Sequence, residues 1–236
     1  MKTLRVSLGP FPERPFYSEE EIERTCEREL SSVGLLPKCP APVRIDRFIE
    51  KRFKVVPKYE YLDAGVLGYT VFGARGVEDI VISRHLSEDE DLVAQRRLVT
   101  TLAHEAGHGI FHGHLFVLAQ STGSLFGDDH ATDPARVLCR DNNVQPEASH
   151  KKYDGRWWEY QANRAIGALL IPRPLVRPSV HDLVKRKGSL QMEILEPTAR
   201  KEAVERISAI FEVNPVVARI RLHDLFPVHD QSQFCL

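Results

Sequence analysis

Apolar positions along this chain follow two rhythms. Between Lys54 and Ser83 they crowd into short β-prone runs: Val55-Val56, Val66 to Phe72, and Asp79 to Ser83. Gly65, Gly68, Gly73 and Gly76 break these runs, so the stretch predicts a small antiparallel sheet. On both sides the spacing becomes helical. Ile45, Phe48, Ile49 and Phe53 share one face of a helix over about 43–53, with Pro42 near its start. Leu98, Leu102, Ala103 and Ile110 mark a longer helix over about 88–113, which Ser87 and Glu90 would open as a capping box. Further upstream, Ser18 followed by Glu19, Glu20 and Glu21 predicts another helix start, with acids at the positive end of the dipole. That helix runs to about Val33 and is closed by Gly34 and Pro37, while the Pro-rich residues 1–17 read as extended.

The second half is less regular. Residues 119–152, rich in Gly, Asp and Asn, read as an irregular insertion. Asp154 is placed to cap a helix over about 155–171 that Pro172 stops. After Pro172, Pro174 and Pro178, Ser179 to Lys187 reads as a short helix. Two more helices, 198–212 and 215–226, flank Asn214-Pro215. The pattern as a whole predicts an α+β fold, mainly helical, with a small antiparallel sheet packed on the long helix. It divides into an N-terminal extension with one helix (1–41), a core (42–175) containing the 119–152 insertion, and a C-terminal helical segment (176–236) with a helix-turn-helix-like pair.

Composition narrows the class. With 236 residues, 42% hydrophobic and 28% charged, the chain can bury a sizeable core. No uninterrupted apolar stretch approaches the ~20 residues of a membrane span, and the N-terminus carries no secretory signal pattern, so a cytoplasmic protein without membrane contact is expected. Cys26, Cys39, Cys139 and Cys235 are scattered, without the paired spacing of a zinc ribbon or the density of a disulfide framework. Lys plus Arg (32) balance Asp plus Glu (33), which gives no positive argument for nucleic acid as a partner.

The chemistry concentrates in His104-Glu105-Ala106-Gly107-His108. Residues four apart lie on one helix face, so both imidazoles can converge on one ion. Glu105 lies about 100° round the helix from His104, beside the ion without ligating it, where a general base for a bound water belongs. Gly107 and Gly109 cost the helix about 1 kcal/mol each relative to Ala, a cost expected where another helix approaches closely. A second helix carries the candidate third ligand, Glu159, with Asn163 on the same face. Three protein ligands leave room for water, as catalytic zinc requires, and the Asn163 carbonyl could accept a ring N–H and orient a ligand. The plain alternative for Glu159 is an exposed helix glutamate. His112 and His114 trail the motif helix and read as supporting or surface groups.

These residues carry a resemblance. LAHEAGHGIFH (102–112) and EYQANRAIGALLIP (159–172) are similar to the H-E-x-G-H and E-x-x-A-N motifs of ImmA/IrrE-type metallo-endopeptidases. PVRIDRFIEKRFKVV (42–56) and residues 79–105 resemble that family's lead-in helix and strand-then-helix entry, and 203–225 its following helices. The resemblance implies a zincin-like, gluzincin-type core with His104, His108 and Glu159 as metal ligands and Glu105 as catalytic base. It implies Zn2+, with Mn2+ also compatible with two imidazoles and a carboxylate. It also implies a hydrolase, a metalloprotease, acting on a protein substrate such as a helix-turn-helix repressor. Two features depart from the family pattern: 50 residues separate His108 from Glu159, and the N-terminal helix has no counterpart. Both bear on substrate choice more than on the metal. The competing expectation is a non-catalytic module that holds zinc for structure or sensing, or binds DNA through 198–226, and acts through a partner. An oxyanion donor could come from His112, His114, His150, Tyr153, Arg173 or His181, and the sequence does not choose among them.

Overall fold

A computed structural model describes residues 2–5, 13–124, 135–140, 157–187 and 192–227. Strands β1 (Lys2–Arg5) and β2 (Glu13–Phe16) pair antiparallel ahead of helix α1 (Glu19–Ser32). The α1 start follows from its local sequence. The Ser18 hydroxyl accepts from the Glu21 amide at 3.2 Å, and the Glu21 carboxylate accepts from the Ser18 amide at 2.8 Å. Two amides that helix geometry would leave orphaned are thereby satisfied. The helix buries Ile22, Cys26 and Leu30, one stripe at four-residue spacing. Helix α2 (Ile45–Phe53) buries Ile45, Phe48 and Ile49 against the same core.

The sheet is mixed rather than antiparallel. Strands β4 (Val66–Gly73) and β5 (Gly76–Ser83) form the expected hairpin, turning at Gly76, whose φ of +106° suits glycine. Strand β3 (Lys58–Glu60) pairs parallel to β5, and helix α3 (Arg84–Glu88) follows β5 directly. Val55-Val56 lies outside it, and Val56 is exposed. Strand β6 (Ala135–Arg140) adds antiparallel to β4, completing the order β3-β5-β4-β6. The stretch 119–152 is therefore not wholly irregular.

Across this sheet lies α4 (Leu92–Ser124), the helix that carries the motif. It starts four residues later and ends eleven residues later than the sequence pattern predicts. Ser87 sits inside α3, its hydroxyl donating to the Arg84 carbonyl at 2.8 Å. Asp91 opens α4 instead: its carboxylate accepts from the Val93 amide at 3.3 Å. In the run Ser87-Glu88-Asp89-Glu90-Asp91 several side chains compete to cap, and the one nearest the helix prevails.

Helix α5 (Trp157–Leu170) packs along α4; its proposed cap, Asp154, lies outside the described residues. A Cβ on Gly107 would stand 3.0 Å from the Ala165 Cβ and 3.2 Å from the Ala162 carbonyl, so this glycine and two alanines set how near the two helices come. Gly109 serves a different neighbour, the Phe53 ring of α2. Replacing Gly107 by Ala should lower stability by roughly 1–2 kcal/mol: overpacking costs about 1–3 kcal/mol and better helix propensity returns up to about 1. Urea denaturation reads this directly, and a stabilised variant would mean that α5 is free to retreat.

The prolines after α5 begin a helix instead of delaying one. With φ fixed near −65°, Pro suits a first helical turn. Pro172 is the N-cap and Pro174 falls in the first turn of α6 (Arg173–Val180). Residues 184–187 are not helical: β7 (Val184–Lys187) pairs with β8 (Met192–Leu195), supported by ion pairs from Arg177 and Arg186 to Glu193. Helices α7 (Pro197–Phe211) and α8 (Pro215–Leu225) follow. Arg221 of α8 is buried, paired through both terminal nitrogens with the Glu23 carboxylate and donating to the Ile171 carbonyl at 3.0 Å. Arg164 of α5 pairs with Asp224 at 2.5 Å and Glu19 at 3.1 Å. These contacts tie the Glu159-bearing helix to α1 and α8. The fold is thus α+β, mainly helical, and one apolar cluster runs continuously from Ile22 to Phe226.

Candidate metal centre

His104 and His108 stand one turn apart on α4, with their Nε2 atoms 3.0 Å from each other. Glu159 of α5 brings Oε2 to 3.2 Å from His104 Nε2 and Oε1 to 3.7 Å from His108 Nε2. Among the described residues this is the group of ligand atoms that could hold a metal ion, and all three side chains are buried. Ligands about 2.0–2.1 Å from one ion in tetrahedral directions lie about 3.3 Å apart, the scale of the separations here.

The surrounding hydrogen bonds decide which nitrogens carry protons. The Asn163 carbonyl oxygen lies 3.0 Å from His104 Nδ1, so Nδ1–H donates to it and Nε2 presents a lone pair. For His108 the assignment comes from further away. The Pro15 carbonyl can only accept, so the Gln161 amide donates to it, at 2.8 Å. Gln161 therefore turns its oxygen to His112 Nε2, 3.1 Å away, and His112 donates there. Neutral His112 then has a bare Nδ1, which accepts from His108 Nδ1–H at 3.0 Å. His108 Nε2 is left as a second lone pair. Burial, then the neighbouring His108, hold the His112 pKa well below its ordinary value, as a neutral ring requires.

Two imidazole lone pairs and a carboxylate thus face one another inside the protein. Such a set needs either protons or a cation between its members. Burial lowers the His108 pKa despite its carboxylate neighbour, which disfavours protons. Burial alone would raise the Glu159 pKa. Without an ion, protons on the facing nitrogens of His104 and His108 would donate to Glu159, and these bonds and their charge outweigh burial and hold the group well below the carboxylate range. A divalent metal ion suits this set.

Glu105 sits beside the triad without belonging to it. Thr70 of β4 donates to Oε2 at 2.6 Å, while Oε1 is buried with no hydrogen-bond partner. Burial pushes the Glu105 pKa up to about 7, against the opposing charge of His104 and the Thr70 bond. One carboxylate edge is held and the other is free, as a proton acceptor at near-neutral pH would need.

Thr70 and Gln161 have no spacing signal in the sequence. A strand and a second helix deliver them, whereas His112, four residues beyond His108 on α4, is the supporting group that the motif's own spacing suggests. Trp157 is buried and sets its ring edge against His112, 5.5 Å between centroids, while Trp158 is half-buried. Of the residues weighed as oxyanion donors, His112 is committed to the relay behind His108. His181 is exposed, and Arg173 lines a separate cavity with Glu19, Glu23 and Arg221. His114 is exposed on α4 beyond the relay, and His150 and Tyr153 lie outside the described residues. No described helix is long and apolar enough to cross a membrane. Comparison of the sequence with known protein families finds no match, and comparison with curated proteins finds none either.

Proposed function

We propose that this chain is a zinc-dependent endopeptidase of the ImmA/IrrE type, with His104, His108 and Glu159 as metal ligands and Glu105 as the general base. The observation that carries the reading is the convergence of two tautomer-fixed imidazoles and a carboxylate, from two helices, beside a buried carboxylate with one unpartnered oxygen. A structural zinc site normally uses four protein ligands and has no need of that fourth group.

A divalent ion held there would supply Lewis acidity, lowering the pKa of water and polarising a peptide carbonyl. The chain's own residues handle the proton. Glu105 Oε1 takes it from the attacking water and passes it to the amine nitrogen that leaves. Thr70 keeps Oε2 occupied, so the basic edge does not rotate away. Asn163 and His112 keep the two imidazoles in the tautomers the ion requires. Apart from half-buried Asn163 these groups are buried, which strengthens their electrostatics but means a polypeptide reaches Glu105 only when adjoining structure moves aside.

The substrate class rests on the resemblance: a protein, such as a helix-turn-helix repressor. DNA binding by α7 and α8 themselves finds little support. Arg221 is sequestered by Glu23, and Arg206 is paired with Asp182 and Glu202. Metal analysis of the purified protein, with incubation against candidate repressors, tests the proposal. One divalent ion per chain and metal-dependent cleavage are expected. One ion per chain without cleavage of any protein substrate would favour a binding module.

A further inference from the structure

The hydrogen-bond chain behind His108 ends on a backbone atom of the N-terminal segment. Every step has a single permitted direction, because a carbonyl accepts and cannot donate. From Pro15 the sequence is fixed: Gln161 donates to the Pro15 carbonyl, His112 to Gln161, and His108 to His112. Both Gln161 and His112 are buried, so water does not readily replace a lost partner. Two residues on, the segment is seated on the same turn of α4 through Tyr17. Tyr17 sets its ring edge against Phe111, 5.1 Å between centroids, one position before His112. Strands β1 and β2 pair only with each other among the described residues, and Pro15 and Tyr17 carry the segment's contacts to Gln161 and Phe111 beside the site.

We propose that the N-terminal segment is coupled to the metal centre through the Pro15–Gln161–His112 relay, so that metal occupancy and seating of residues 13–17 favour each other. His112 and Gln161 are positioning residues in this scheme. They touch neither metal nor substrate, and act by fixing the ring orientation and tautomer of His108. Lifting Pro15 away leaves the Gln161 amide unsatisfied, frees it to flip, and can present N–H instead of oxygen to His112 Nε2. His112 would then change tautomer and offer N–H to His108 Nδ1, turning the metal-facing nitrogen of His108 into a donor. Linkage makes the effect reciprocal: whatever holds the segment down tightens metal binding, and the metal tightens the segment by the same factor. A protein that captured residues 13–17 would therefore loosen the metal. The inference rests on the metal-centre reading above and adds a means of regulating it.

The test uses the full chain and Zn2+ alone, with two readouts that need no substrate. Zinc affinity is measured by competition with a chromophoric chelator. Hydrogen exchange is followed in peptides covering 13–17, normalised to α7, which has no member in the relay. In the wild type, zinc should slow exchange at 13–17 beyond any change in α7. Gln161→Met should bind zinc about 10–100-fold more weakly, the usual cost of losing an outer support, and saturating zinc should no longer protect 13–17. His112→Leu should weaken zinc to a similar degree. His112→Asn retains an oxygen near the place of Nδ1 that can accept from His108 but does not reach Gln161. It should recover much of the affinity while leaving 13–17 uncoupled, a split that simple loss of core packing would not give. Zinc that binds the wild type without protecting 13–17, or Gln161→Met with wild-type affinity and protection, overturns the coupling and leaves the metal centre standing. A wild type that binds no zinc overturns both.

Discussion

Replacing Glu105 by Gln is expected to lower peptide cleavage by at least ~100-fold, and by up to ~10,000-fold, while the metal stays bound. That range is what a positioned general base contributes. The metal stays because Glu105 is not among the three converging ligands, whose contacts come from His104, His108 and Glu159. Gln also keeps an oxygen for Thr70, so the local packing survives. Full activity in this variant would mean that another group accepts the proton. A second readout needs no substrate. In the metal-free wild type, the Glu105 pKa is pushed from 4.5 up to about 7, chiefly by burial. The folded state then binds more protons than the unfolded state between those values, so this group's contribution to stability falls as pH rises from about 4.5 to about 7. Gln has no such titration. Metal-free Glu105→Gln should therefore gain stability over metal-free wild type as pH rises through that window and keep the advantage above it, measured by urea denaturation with a chelator present. A constant difference across pH would mean that Glu105 is less desolvated than its burial implies.

The site was legible where it depends on spacing within one helix. His104 and His108, like Glu159 and Asn163, are four apart, and helical geometry places each pair on one face whatever the rest of the chain does. That α4 and α5 face each other is tertiary information. The sequence hinted at it through Gly107 and Gly109, of which Gly107 meets Ala162 and Ala165 of α5 while Gly109 meets Phe53 of α2. Thr70 and Gln161 were illegible because a strand and a second helix deliver them, and a lone Thr or Gln has no pattern to mark it. The same distinction runs through the fold. The Ser18 capping box is a four-residue event and reads directly. The parallel pairing of β3 with β5, the addition of β6 to β4 and the β7–β8 pair depend on partners distant in sequence or on short strands with little periodicity. Where local signals conflicted, as in the acid run before α4, chain geometry chose Asp91.

Replacing Glu159 by Gln should produce the largest loss of metal, exceeding the ~10–100-fold that removing an outer supporting group costs. The substitution keeps size and packing but exchanges a charged ligand for a neutral amide. Its carbonyl is a weak substitute, and its NH2 would confront one of the two imidazole lone pairs. The consequence extends to stability, since an ion that binds only the folded state stabilises it by about 2.7 kcal/mol at a free concentration 100 times its Kd. For a chain of this size that corresponds to about 5–10 °C in Tm. Wild type should show such a zinc-dependent shift, reversed by a chelator, and Glu159→Gln should show almost none at the same zinc concentration. The variant must also be compared metal-free. Burial works against the ionised Glu159 carboxylate, but His104 and His108 more than offset it and lower its pKa. The carboxylate thus contributes stability above the unfolded pKa that is lost as pH falls through the folded one. At neutral pH, metal-free Glu159→Gln should therefore already be less stable than metal-free wild type, and acid should narrow that gap. Zinc bound tightly and stoichiometrically by Glu159→Gln would place the third ligand elsewhere. The peptidase reading would then lose the geometry that sets Glu105 beside the ion.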